Sequence, residues 1–399
     1  MSTIPHSRTG AWFLSTLAAV VRPRAALLAT LVGVTAACDT ADTAESLTEP
    51  VAFAAATAGR GSARGVYTMT NDASNNEILV FPRNADGTIG TPTAVPTGGA
   101  GSGGGLGSQG AVVLSDDNRW LLAVNAGSNE LSVFEVRRAQ ITLTDRIDSG
   151  GEMPVSVAIY GNFVYVVNAG TPNNVTAFRL NLRGGLTPIP FSTRPLSAPS
   201  TAPAQVSVTN NGRRLVVTEK ATNLITTYRI DPATGRPGSP HFVESEGQTP
   251  FGFAFDRRGR MHVSEAFGGA PGGSALSSYA RLTFTPISSS VGSGEQAACW
   301  VVISDQRPLA FVTNTGSGSI STYRIASDGS VSLLHAVAAS TGAGSGPIDM
   351  ALSDDGQFLF VLAPGNGTVR PYAINADGTL TGLGPISGVP GTAFGLAAF

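Results

Sequence analysis

Hydrophobic and polar positions alternate in short runs along most of this chain. From Gly65 onward one four-part unit recurs. An apolar strand leads through a polar turn to a second strand ending in Asn or Glu. A short loop leads to a third strand with an aromatic residue, and another turn to a weaker fourth strand. Clear copies of the first three strands begin at 111, 205, 300 and 349. First-strand and second-strand ends lie ten residues apart in five copies: Ser115 and Asn125, Thr209 and Glu219, Phe255 and Glu265, Ser304 and Asn314, Ser353 and Ala363. A constant interval across two strands predicts a constant hairpin register. The turns between them, such as Asn-Asn-Gly and Asp-Asp-Gly, suit tight reversals.

The second-strand ends fall at Asn71, Asn125, Asn168, Glu219, Glu265, Asn314 and Ala363, seven positions spaced 43 to 54 residues apart. That period, with four strands per unit, predicts an all-β seven-bladed propeller with four-stranded blades. The first unit, from Val66, begins at a second strand, and residues 392–399 form an unpaired copy of a first strand. Pairing the two would close the ring and remove the exposed edges of an open array. Each blade buries its faces only against its neighbours, so alternating residues such as Leu215, Val217 and Tyr228 should fill the layers between blades.

Residues 1–38 follow a different pattern. Arg22 and Arg24 precede the apolar run 25–34, and small residues lead to Cys38. This is the layout of a secretory signal, and a cysteine behind small residues resembles a lipoprotein processing site. Lipid attachment at Cys38 is expected, tying the protein to a membrane of a bacterial envelope through several acyl chains. Residues 39–64 lack any period and are read as a flexible tether, leaving 65–399 as the propeller.

Composition agrees with an all-β body. Charged residues make up 13% of the chain, with 49 glycines and 25 prolines, against a typical charged fraction of about 25%. The net charge of −2 leaves no basic footprint for nucleic acid. Cys299 is read as a small buried hydrophobe in an apolar strand; with Cys38 acylated it has no partner, and no disulfide is expected. His241, His262 and His335 do not cluster at metal-ligand spacing, so no metal and no cofactor is expected, and the body is read as a monomer. The glycine-rich run 98–107 precedes a strand rather than a helix, so it is read as a flexible inter-blade loop and not a phosphate site.

Glu219 and Glu265 are the acids of most interest, because equivalent positions in adjacent blades could set them side by side. Paired carboxylates can raise one another's pKa and yield a general base, with Lys220 or an arginine stabilising an oxyanion. The competing reading is that Asn and Glu at strand ends satisfy loop backbone groups. Gln205, Trp300 and Asp349 occupy matching positions near the start of first strands, expected at the channel mouth, where they could line a ligand site together with Asn125, Asn168 and Asn314.

The repeat Pro-x5-Ser/Thr-x2-Gly-x2-Leu-x-Val-x-Asn/Glu, followed by Asn-x-Ile/Val-x2-Tyr-Arg-Ile and Asp-Gly-x-Leu, resembles the lactonase-type seven-bladed propellers, which include 6-phosphogluconolactonase-like and carboxymuconate-cyclase-like proteins. The resemblance covers about 65 to 399. It implies a site of histidine, arginine and glutamate at the channel mouth. Glu219 matches the glutamate, but Pro203-Ala204-Gln205 stands where the family carries its Arg-His pair. Two functions follow. One is an exported binding or interaction module that uses the channel-mouth face. The other is a lactone hydrolase or cyclase using Glu219 and Glu265.

Overall fold

The computed structural model describes residues 64–138 and 140–399; the signal, Cys38 and all of the expected tether except Arg64, which already belongs to a strand, lie outside them. The described residues form seven antiparallel sheets. We number the blades by their inner strands: Phe394–Ala398 in blade 1, then Val112–Leu114, Pro154–Tyr160, Pro203–Val208, Pro250–Phe255, Ala298–Ile303 and Ile348–Leu352 in blades 2 to 7. Each inner strand contacts those of the two neighbouring blades, giving a closed ring around one axis. In blades 3 and 7 the outermost strand is broken into two short pieces. Among the described residues no helix is long and apolar enough to cross a membrane.

The ring closes through the C-terminal strand, as expected. Val66, Tyr67, Thr68 and Met69 pair antiparallel with Ala398, Ala397, Leu396 and Phe394. The Phe399 N–H donates to Gly65 O at 3.2 Å, the Thr392 hydroxyl donates to Thr70 O at 2.8 Å, and the Tyr67 and Phe399 rings stack 6.1 Å apart. A charged clasp adds to this. The buried Arg83 and the more exposed Arg64, both of blade 1, reach Asp355 in the blade 7 turn at 3.1 and 3.0 Å.

Period-two alternation explains the packing. In the second strand of blade 4, Arg214–Glu219, Leu215 and Val217 join Tyr228 in one apolar cluster, while Val216 joins Ile225 and the blade 5 residues Phe253, Val263 and Tyr279 in another. Successive side chains thus leave opposite faces of the strand, and each face meets a neighbouring blade. All of these residues are buried, each contributing about 1.5–3 kcal/mol for a fully buried aliphatic side chain.

Constant register is also present. Pro154, Pro203, Pro250 and Ala298, at the heads of their inner strands, pair with Asn168, Glu219, Glu265 and Asn314 at the ends of the second strands. A shift in register follows each head residue, as a β-bulge does. One or two residues beyond the head lie Ser156, Gln205, Trp300 and Asp349, which become the links between blades.

Candidate functional site at the channel mouth

In blades 2 to 6 the second strand ends in a buried polar residue, and the structure gives each of these residues specific partners. The Asn125 amide donates to Ser132 Oγ at 2.8 Å, and its Oδ1 accepts from Asn76 and Thr97. Asn168 donates to Asn174 and Thr176. Asn314 donates to Ser319 at 3.1 Å and Ser321 at 2.8 Å. The Ser132, Thr176, Ser319 and Ser321 hydroxyls lie on the adjacent third strands. Asn168 and Asn314 thereby tie the second strand to the third strand of the same blade, while Asn125 also joins blade 2 to Asn76 and Thr97 of blade 1.

The two glutamates follow the same plan. Glu219 is fully buried. It accepts from the Ser197 N–H at 3.2 Å and from the hydroxyls of Ser197, Thr222 and Thr226. Glu265 is equally buried and accepts from the Gly247 N–H at 2.8 Å and Ser290 Oγ at 2.6 Å. Burial raises the Glu265 carboxyl above its ordinary range, opposed by hydrogen bonds from Ser277, Ser290 and Gly247. The nearby charge acting on it is that of Glu246. The two glutamates thus have separate sets of partners: Glu219 is held by Thr222 and Thr226 of blade 4 and by Ser197 in the connector from blade 3, and Glu265 by Ser290 of blade 5 and by Gly247 in the connector from blade 4.

The axis is occupied by the segment that follows the glycine-rich run. Gly98 of the run is exposed, whereas Leu106 and Gly107 at its end and Ser108 and Gln109 just beyond it are buried. Ser108 Oγ donates to Val155 O in blade 3 at 2.8 Å. The Gln109 N–H donates to Ala204 O in blade 4 at 2.9 Å. The Gln109 side chain pairs with Val301 in blade 6. The segment therefore crosses the channel. Glycines of the preceding run are needed for close approach: a Cβ on Gly101 would lie 2.2 Å from the Asn71 carbonyl carbon.

The expected ligand residues around this plug are structural links. Ser156 Oγ accepts from the Val206 N–H of the next blade at 3.1 Å. Gln205 Oε1 accepts from the Phe253 N–H at 2.6 Å. Asp349 Oδ2 accepts from the Leu396 N–H at 3.1 Å. Where blade 5 carries Gly252 and so has no side chain to offer, Gln109 supplies the acceptor for the Val301 N–H at 3.2 Å. Trp300 is fully buried. Its indole N–H donates to Ser108 O at 3.0 Å, and its ring lies 4.9 Å from Phe251 and 6.5 Å from Phe394, so no face is open to a ligand. Lys220 Nζ donates to Gly107 O at 2.5 Å and lies over the Phe251 ring. Cys299 is buried as expected, but it is disulfide-bonded. This corrects the expectation that no disulfide forms.

Sequence reasoning missed the opposite end of the ring, where first strands turn into second strands. Cavities of about 450, 510 and 370 Å³ open there between blades. The first is lined by Arg257, Arg258, Arg260 and Arg307, and the second by Arg213, Arg214, Arg229 and Arg281. A visible signal existed in the arginines that follow or sit within successive turns, Asn-Asn-Gly-Arg-Arg and Asp-Arg-Arg-Gly-Arg.

Fold and register define a seven-bladed β-propeller of four-stranded blades. The chain matches the family model for the lactonase seven-bladed β-propeller over residues 62–194, 187–265 and 275–395, and it belongs to that family. Similar solved structures include the periplasmic gluconolactonase of Pseudomonas aeruginosa, at 16% identity and TM-score 0.68, covering 84% of this chain and 99% of that one. A putative 6-phosphogluconolactonase from Bacteroides fragilis has 17% identity and TM-score 0.65, covering 86% and 100%. A Lactobacillus plantarum protein has 17% identity and TM-score 0.68, covering 84% and 99%. At such identities the likeness is one of fold. No curated protein matches the sequence.

Proposed function

We propose that this lactonase-family propeller is an exported binding module that does not hydrolyse lactones. The observation that carries the reading is the use of the two mouth carboxylates. Glu219 accepts four hydrogen bonds and Glu265 at least two, and each is buried. A general base needs reach to a substrate proton, and each oxygen of these buried carboxylates already accepts a hydrogen bond. Ser108 and Gln109 fill the channel beside these carboxylates with hydrogen bonds to blades 3, 4 and 6. Export is supported by the signal-like segment before Cys38.

Lactone hydrolysis is the second reading, favoured by family membership. A panel of aldonolactones incubated with the purified protein separates the two. Absence of turnover together with a saturable ligand supports the module. Turnover that Glu219→Gln abolishes overturns it. The anchor is tested separately by labelling cells with a fatty acid. Label lost in Cys38→Ser supports lipid attachment; an unlabelled chain with altered mobility under reducing conditions means that Cys38 is bonded to Cys299 instead.

A further inference from the structure

The second of the arginine cavities contains charges that the protein itself does not explain. It lies between blades 3, 4 and 5 and is lined by Arg213, Arg214, Arg229 and Arg281, with no aspartate or glutamate among its lining residues. Among the described residues none of the four guanidinium groups has an ion-pair partner or a hydrogen-bond acceptor. Arg214 lies over the Phe284 ring; the other three arginines are exposed.

Two comparisons make this unusual. The neighbouring cavity also holds four arginines, but those are engaged: Arg260 on Asp256, Arg257 near Asp305, Arg258 on Ser327 O and Arg307 on Ile374 O. In blade 4, by contrast, Arg214 and Arg229 stand directly opposite one another on paired strands. Like charges in that relation destabilise a sheet. Arginine carries five N–H donors in a planar fork suited to phosphate and carboxylate. The nearest carboxylate in sequence, Asp231, is turned onto the N–H groups of Ala233 and Thr234.

The walls are apolar and rigid. Tyr160 packs against Gly212, where a Cβ would lie 2.2 Å from the ring, and Phe163 packs in the same way against Gly235. Leu282 is 60% exposed at the rim. At about 510 Å³ the cavity falls within the range of small-molecule sites, roughly 300–1,000 Å³.

We propose that this groove binds a small molecule bearing two or more oxyanion groups, phosphate or carboxylate, which the four guanidinium groups hold against the Tyr160 and Phe163 wall. The site is at the far end of the ring from the mouth and stands whether or not lactones are turned over. Titration calorimetry of the full chain at physiological salt, with tripolyphosphate and with citrate, tests it. Saturable one-to-one binding of either supports the proposal, and the stronger of the two identifies the group recognised. The combined Arg213→Gln and Arg281→Gln variant should weaken binding about tenfold or more, as loss of charge-assisted contacts does. The combined Arg257→Gln and Arg258→Gln variant should leave it unchanged.

Arg229→Gln should raise the melting temperature of ligand-free protein and reduce the further rise that tripolyphosphate produces. Failure of both anions to bind, equal weakening by the two double variants, binding only to anionic lipid vesicles, or a lower ligand-free melting temperature in Arg229→Gln would overturn the assignment.

Discussion

The side-chain amide of Gln109 pairs with both backbone groups of Val301: its Nε2 donates to Val301 O at 3.0 Å and its Oε1 accepts from Val301 N at 3.2 Å. A side chain thus acts as a strand partner in the channel. Both Val301 groups are buried with that residue, and an orphaned buried backbone group costs about 1–3 kcal/mol. Gln109→Ala should therefore lower stability by about 2–4 kcal/mol in urea melts. A loss under about 0.5 kcal/mol, the level of an ordinary surface change, would show that the pairing is incidental.

Gly252 makes room for that amide. A Cβ there would lie 2.0 Å from Gln109 Oε1 and 2.7 Å from the Cys299 carbonyl oxygen. Gly252→Ala should be destabilising by about 1–3 kcal/mol, as overpacking is, with displacement of the plug visible as increased exposure of Trp300 to a fluorescence quencher. Unchanged quenching would contradict this account of why blade 5 carries glycine.

Glu219 should behave as a structural residue. Glu219→Ala leaves the Ser197 N–H and three hydroxyls without their acceptor. The expected cost is about 3 kcal/mol or more, measured by denaturant unfolding. Glu219→Gln keeps an oxygen in place and should recover part of it. Wild-type stability in the alanine variant would show that the carboxylate is held for something other than the fold.

Burial raises the Asp349 carboxyl to about 7, against N–H groups of Met350, Leu396 and Gly110 that favour the anion. The folded protein keeps this proton to higher pH than the unfolded chain does. The resulting stability is fully present below the unfolded value near ~4 and is lost as pH rises to about 7. The effect is on the order of a few kcal/mol. Asp349→Asn should remove that slope, so the difference between wild-type and variant stability should change across this window. A constant difference would mean that Asp349 does not titrate there.

Deletion of residues 392–399 removes the partner of the strand that begins at Arg64. The open edge should abolish a single cooperative melt and promote association, since unpaired edges template further pairing. Gel filtration and near-ultraviolet dichroism measure both. A monomeric truncated protein with unchanged melting would contradict closure as the source of cooperativity.

Legibility in the sequence followed locality. The blade count, the hairpin register and the closing strand could all be read because period-two alternation, turn chemistry and a constant ten-residue interval are properties of neighbouring residues. The buried polar strand ends could also be read, since Asn125, Asn168, Glu219, Glu265 and Asn314 recur at one position of the repeat. Three decisions belonged to the tertiary structure. Ring closure set the residues just after the glycine-rich run across the axis, because Ser108 and Gln109 find their partners in blades 3, 4 and 6, which are distant in sequence. The same closure turned Gln205, Trp300 and Asp349 into links between blades. It also gathered Arg213, Arg214, Arg229 and Arg281 from separate turns and strands into one groove. Sequence records which side chains a strand offers, but which of them meet across blades depends on how seven sheets pack around a common axis.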